Sequence, residues 1–212
     1  MEEYTIPAVS YSIETRVMNS RFIASISPVF SVQEAKEFIS RIKDTYRDAS
    51  HNVPVYIIGY GTTMIAHSSD DGEPSGTAGR PALAVLKGSE LGDTVIVITR
   101  YFGGTKLGTG GLVKAYSDSA RSIIQAVPKA KKILVHHVSI QCPYNLYEQI
   151  KRTIIKWKGF ITEEDFSELV NISFSIPVRN FPQIESSITD LSQGQIPTKI
   201  NKLNQIAIMQ EK

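Results

Sequence analysis

A single cysteine, Cys142, occurs in the 212-residue chain, which excludes an internal disulfide framework and any metal site built from several thiolates. Such a chain fits a reducing cytosol. Cys142 closes an apolar stretch before Pro143 and reads as a buried structural thiol, with no activating neighbour in the sequence. The first residues, Met1-Glu2-Glu3-Tyr4, lack the basic and apolar regions of a secretory signal. No stretch approaches the roughly 18 apolar residues that span a bilayer. The expectation is a soluble, cytoplasmic protein with no membrane partner. Neither sign of charge dominates: 23 Lys and Arg face 21 Asp and Glu, a net charge of +2. A dedicated duplex-DNA binder carries a stronger basic excess. The small excess lies before residue 133.

Apolar residues make up 42% of the chain, enough for two modest cores. Phe22, Ala24 and Ile26 alternate with neighbours along residues 20–29, a strand that Pro28 ends. Ser31-Val32-Gln33-Glu34 is a capping box, and apolar spacing from Ala35 to Tyr46 predicts a helix over about 32–47. Val53–Gly59 reads as a strand that pairs with Thr63–His67. Residues 68–79 have no periodicity and read as a loop, followed by a short helix from Pro81. Val95-Ile96-Val97-Ile98 is an unbroken β-branched run, the pattern of a strand buried on both faces. A glycine-rich loop over 101–111 leads to a helix marked by Leu112, Tyr116, Ala120, Ile123, Ile124 and Val127, which Pro128 terminates.

Lys129-Ala130-Lys131-Lys132 reads as a linker. Beyond it come a strand (133–141), a helix (144–157), strands at 160–162 and 170–176, a helix through Phe181, Ile184, Ile188 and Leu191, and a strand over 200–209. That order, βαββαβ, is the ferredoxin-like plait. The domain boundaries are therefore 1–128, a linker at 129–132, and 133–212, in an α+β protein.

Two segments hold residues that packing does not require. One, residues 68–81, carries Asp70, Asp71, Glu73, Ser75 and Arg80. The other, residues 99–114, sets five glycines (Gly103, Gly104, Gly108, Gly110, Gly111), two aromatics (Tyr101, Phe102) and three cations (Arg100, Lys106, Lys114) between a buried strand and a helix start. Glycines let backbone amides approach a ligand, and a helix amino end offers unsatisfied N–H groups with partial positive charge. Phosphate is the ligand such a segment fits, in a nucleotide or a nucleic-acid backbone. The alternative is a tight turn made for packing.

Standard motifs are missing here. There is no Gly-Lys followed by Ser or Thr, and the sixth position from Gly108 is Val113 rather than glycine. There is no His-Glu-x-x-His, and the acid spacing is not that of a calcium loop. His136 and His137 are adjacent in a strand and face opposite ways. Asp70, Asp71 and Glu73 allow three readings: Mg²⁺ binding, capping of the helix at Arg80, or pairing with Arg100 and Lys106 across a groove. A hydrolase using Ser75, His51 or His67, and Asp70 has the residue types but not the nucleophile-elbow pattern.

The paired segments Ser-Ser-Asp-Asp-Gly-Glu-Pro-Ser-Gly-Thr-Ala-Gly-Arg-Pro and Thr-Arg-Tyr-Phe-Gly-Gly-Thr-Lys-Leu-Gly-Thr-Gly-Gly-Leu-Val-Lys-Ala-Tyr resemble the signature of the IMPACT/YigZ family. Ser20-Arg21-Phe22 and Ser50-His51-Asn52 resemble further family motifs, although Val53 stands where the family usually has cysteine. The likeness covers about residues 10–128, and the remainder resembles the small carboxy-terminal plait of bacterial members. It implies a first domain like domain IV of elongation factor G and a small-subunit ribosomal protein domain, and a second like domain V of that factor. That pairing implies a translation-associated regulator that binds RNA or the ribosome. Eukaryotic relatives regulate translation initiation through an additional amino-terminal domain, and that partner is not carried over.

The candidate nucleic-acid- or phosphate-binding residues are thus Arg21, Arg80, Arg100, Tyr101, Gly103, Gly104, Lys106, Gly108, Gly110, Gly111 and Lys114. His51, Asn52, Asp70, Asp71, Glu73 and Ser75 are their polar partners. No resident cofactor is expected, with Mg²⁺ as the alternative. An Mg²⁺-dependent phosphate-binding or hydrolytic enzyme and a protein-interaction module stand as the other functional readings.

Overall fold

The computed structural model describes residues 3–210, which form ten strands and five α-helices. The chain folds as two compact units, residues 4–131 and residues 132–209.

The first unit is built on a five-stranded antiparallel sheet. Its strands are β2 (Tyr11–Val17), β3 (Ser20–Pro28), β4 (His51–Ile58), β5 (Ile65–Ser68) and β6 (Thr94–Tyr101), in the order β2-β3-β6-β4-β5. The central β6 is buried on both faces, as its β-branched run requires. Ile96 and Ile98 point into one core with Phe22, Ala24, Val53 and Val55. Helices α2 (Gly79–Lys87) and α3 (Gly108–Ala126) cover that face. Val95 and Val97 point into a second core beneath α1 (Val32–Thr45), through Ala35 and Phe38. The capping box is present in shifted form: Glu34 N donates to Ser31 Oγ, and the Glu34 carboxylate accepts from Phe30 N, one residue before the cap.

The second unit follows the order β7 (Lys129–Cys142), α4 (Tyr144–Lys156), β8 (Phe160–Phe166), β9 (Val170–Pro177), α5 (Phe181–Ser192), β10 (Lys199–Gln210). This is the expected βαββαβ order. β7 pairs antiparallel with β9, β9 with β8, and β10 pairs with β7. The inward residues of β7 and β9, Val138, Ile140, Ile172 and Phe174 among them, meet Ile150 and Ile154 of α4 and Ile184 and Ile188 of α5.

Three local expectations require correction. Residues 129–132, expected as a linker, are the start of β7, because Ala130 is buried and β1 (Glu3–Pro7) pairs with that strand. β1 and β2 lie outside the elements that periodicity predicts; the alternation in β2 is partly exposed and carries little apolar contrast. α3 begins at Gly108, inside the glycine-rich segment rather than after it. Three glycines in the first turn suppress the apolar pattern by which a helix start is read.

Candidate functional site

The site grows from the same alternation that builds the core. On β6 the inward row Ile96, Ile98 continues to Arg100, on β4 the row Val55, Val53 continues to His51, and on β3 the row Ala24, Phe22 continues to Ser20. Arg100 lies in register between Phe22 and His51. The apolar face of the sheet thus ends in polar side chains at one edge of the core.

Arg100 is only 5% exposed. Its Nη1 donates to Glu73 Oε1 at 2.7 Å and its Nη2 to Ser20 Oγ at 3.3 Å. Tyr116 of α3 donates its hydroxyl to the same Glu73 oxygen at 2.8 Å. Burial, then the Glu73 charge and hydrogen bond, push the Tyr116 phenol far above its usual range, so it stays protonated and donating. Phe22 and Phe102 flank the guanidinium, with its Cζ 5.6 and 5.4 Å from their ring centroids. The two segments singled out in the sequence therefore meet through a buried ion pair.

The acidic loop is organised around its own backbone. Asp70 accepts N–H donors from Gly76, Ala78 and Gly79 at 2.8, 3.1 and 2.8 Å, tying the loop to the amino end of α2. Burial alone would raise the Asp70 carboxyl, but the three backbone donors together with Arg80 hold it below the ordinary carboxylate range. Asp71 sits at a left-handed φ of 46°. Its carboxylate accepts from Asn52 N at 2.7 Å and from Lys43 Nζ at 2.5 Å. Its carbonyl accepts from His51 Nδ1 at 2.9 Å, which directs the other ring nitrogen towards Glu73 Oε2, 3.8 Å away.

Each acid thus has a separate task, and among the described residues no group of three His, Cys, Asp or Glu side chains is arranged to hold a metal. The geometry realises the capping reading through Asp70 and the ion-pairing reading through Glu73 and Arg100, while Lys106 makes no pair with the loop among the described residues. The hydrolase grouping is not assembled. Asp70 is engaged by backbone amides, His67 stacks on Tyr56 at 5.1 Å, and His51 is oriented by a carbonyl rather than by a carboxylate.

A cleft of about 510 Å³ opens over this network. Of the anticipated residues, His51, Glu73, Arg100, Lys106 and Gly108 line it. Ser50, Pro74, Phe102, Leu107, Thr109 and Leu112 complete its wall. Lys106 is exposed, and no ion-pair partner faces it among the described residues. Leu107, at the amino end of α3, supplies no capping side chain, and no acid occupies the first turn.

The other anticipated residues lie elsewhere. Arg21 pairs with Glu14 at 2.8 Å and stacks on Tyr101 at 5.2 Å, while the Tyr101 hydroxyl donates to Asp48. Lys114 pairs with Asp118 one turn along α3. Arg80 and Ser75 are exposed outside the cleft lining. Gly110 and Gly111 belong to the first turn of α3, and Gly104, at φ +83°, is open to solvent. Asn52 is buried, with its side chain bridging Tyr46 O and the Thr99 hydroxyl. Gly103 is required by close approach, since a Cβ there would overlap the backbone carbonyl of Asn19.

Sequence reasoning does not assign Tyr116, Ser20 or Lys43 to the site. Tyr116 reads as one more apolar residue of the α3 face, and the signal available is that a buried tyrosine hydroxyl needs a partner. No local pattern announces Lys43, which reaches the loop from another element.

Comparison with known proteins now places the chain. Residues 18–124 match the model of the Impact N-terminal domain, and residues 140–195 match a domain of unknown function, DUF1949. The chain is 32% identical to the IMPACT family member YigZ of Escherichia coli (strain K12), over 92% of this chain and 97% of that protein. It is 36% identical to the IMPACT family member YvyE of Bacillus subtilis (strain 168), over 90% of this chain and 87% of that protein. A crystal structure described as that of a hypothetical protein is 30% identical, covers 95% of this chain and 98% of its own, and superposes with a TM-score of 0.61. With its signature segments joined at the Arg100–Glu73 pair and both family-wide matches in place, the chain belongs to the IMPACT family.

Proposed function

We propose that this protein is a translation-associated regulator that contacts RNA or the ribosome through the glycine-rich face of its first unit. The observation that carries the reading is the conjunction of exposed Lys106, exposed Phe102 and the uncapped amino end of α3 on one cleft. Cations and helix amino ends take phosphate oxygens, and an exposed aromatic ring stacks on an unpaired base. Arg21 and Tyr101, paired on β3 and β6, extend that face. The likeness to domains IV and V of elongation factor G belongs to the same proposal, as does the cytoplasmic location, with residues 1–128 and 133–212 acting as two modules.

Arg100 plays a different part from the one its sequence position implies. Its charge is neutralised by Glu73 inside the protein, so it shapes the cleft while Lys106 supplies the free charge. The test is co-sedimentation of the full chain with ribosomes and with single-stranded RNA at low and moderate salt. Binding should fall as salt rises, and Lys106→Ala should reduce the logarithmic salt slope for single strands by about 0.7. Absence of co-sedimentation at both salts would overturn the proposal.

A further inference from the structure

The cleft has the dimensions of a small-molecule site. Its volume of about 510 Å³ lies within the range of pockets that enclose single ligands. Its two ends differ chemically. At one end the first-turn amides of α3 have no intrahelical acceptor, as at any helix start, and Leu107 provides no cap. A Cβ added at Gly108 or Gly110 would meet nothing within 4 Å, so this amino end is open. Lys106 stands beside it with no ion-pair partner among the described residues. Arg100, in the wall, engages Glu73 and Ser20 with its guanidinium, and its Nε–H is shielded from solvent, so the α3 amides and Lys106 carry this end. This end selects a compact anion.

The other end presents Phe102, which is 48% exposed and whose ring is backed by the Arg100 guanidinium at 5.4 Å. Pro74, Leu107 and Leu112 give the cleft as a whole its apolar wall. His51 donates a hydrogen bond from Nδ1–H to the Asp71 carbonyl, and its Nε2 lies 3.8 Å from Glu73 Oε2, while Arg100 and Tyr116 both engage the other Glu73 oxygen. Acceptors therefore sit next to a flat apolar surface. A planar heterocycle with N–H donors on its edge matches that end.

Resting on the reading of this face as a phosphate-binding one, we propose that the cleft binds a single nucleoside 5′-monophosphate, free or at the end of an RNA strand. Its phosphate lies at the amino end of α3 with Lys106, and its base lies against Phe102. The cleft has room for one nucleotide at a time.

Calorimetric titration of the full chain tests this with the four ribonucleoside 5′-monophosphates, the matching nucleosides, and inorganic phosphate. At least one monophosphate should bind tenfold or more tightly than both its nucleoside and inorganic phosphate. Lys106→Ala and Phe102→Ala change exposed side chains, and each should weaken that binding at least tenfold while leaving the unfolding transition in place. Competition with short RNAs bearing a 5′-phosphate or a 5′-hydroxyl separates the two sources of the ligand: displacement by the phosphorylated strand alone assigns the strand end, and displacement by neither assigns the free nucleotide. Equal affinity for a monophosphate and inorganic phosphate would overturn the proposal, as would no monophosphate binding at millimolar concentration. Should RNA co-sediment while monophosphates fail to bind, the single-nucleotide site falls and the RNA reading stands. The converse result removes the RNA reading and keeps the site.

Discussion

The two units fill their interiors with different chemistry. The second unit is held by an almost wholly apolar interior, with His136, Ser175 and Ser192 as its buried polar residues among those described. The first unit buries Arg100, Glu73, Asp93, Asn52 and Thr99 beside its apolar clusters. A buried ion pair is a poor way to gain stability, because desolvation offsets most of its attraction. Its presence at the end of the apolar rows of β3, β4 and β6 marks the place where the fold gives up packing for a defined polar surface. Among the described residues the second unit carries no such exchange.

Removing one partner of the pair should give the largest effect. Glu73→Ala leaves Arg100 charged, buried and without its carboxylate, and removes the acceptor of Tyr116. It should destabilise the protein by about 3–5 kcal/mol, measured by urea unfolding followed by circular dichroism. A loss below about 1 kcal/mol would erase the contrast between the units.

In the second unit the matching lesion is a cavity. Ile172→Ala, at a fully buried position of β9, should cost about 2–5 kcal/mol. Trp157 is the only tryptophan and lies in that unit, so its fluorescence follows the transition locally. Partial collapse of the site sets where in the range the value falls.

Asp70 sharpens the comparison through pH. Its carboxyl is held below its ordinary value of 3.8, so the unfolded chain takes up a proton at higher pH than the folded one. The contribution is therefore complete above pH 3.8 and is lost as pH falls through the lowered value. Asp70→Ala should cost about 0.5–2 kcal/mol at neutral pH, and the difference from the parent should shrink on acidification. Stability curves from pH 2 to pH 7, roughly spanning the titration range of carboxyl groups, check the sign.

The smallest effect belongs to the surface of α3. Lys114 and Asp118 form an exposed i,i+4 pair, and Lys114→Ala should change stability by no more than about 0.5 kcal/mol. A drop in RNA affinity in that variant would then report a lost phosphate contact rather than unfolding.

Much of the scaffold is readable locally. The Ser31–Glu34 box, the β-branched run of β6, the 3.6-residue spacing of α3 and the alternation of β9 all act over a few residues, and each produces its element. β1 and β2 escape because their pairing partners lie far along the chain or carry weak contrast. At the site, the residue types of the two segments are legible, but their assignments are not. Arg100 and Lys106 look equivalent on paper; one is neutralised in the interior and the other faces solvent.

The sequence by itself determined the α+β class, the order of the plait and the two segments that carry the chemistry, since propensity, periodicity and family motifs are local properties of the chain. Only the tertiary structure decided that Glu73, rather than Asp70 or Asp71, meets Arg100, that Tyr116 completes the pair, and that an open helix amino end and Lys106 stand over them. Those contacts join residues 27 and 43 positions apart, and the register of β3, β6 and β4 and the packing of α3 on that sheet alone set which partners meet.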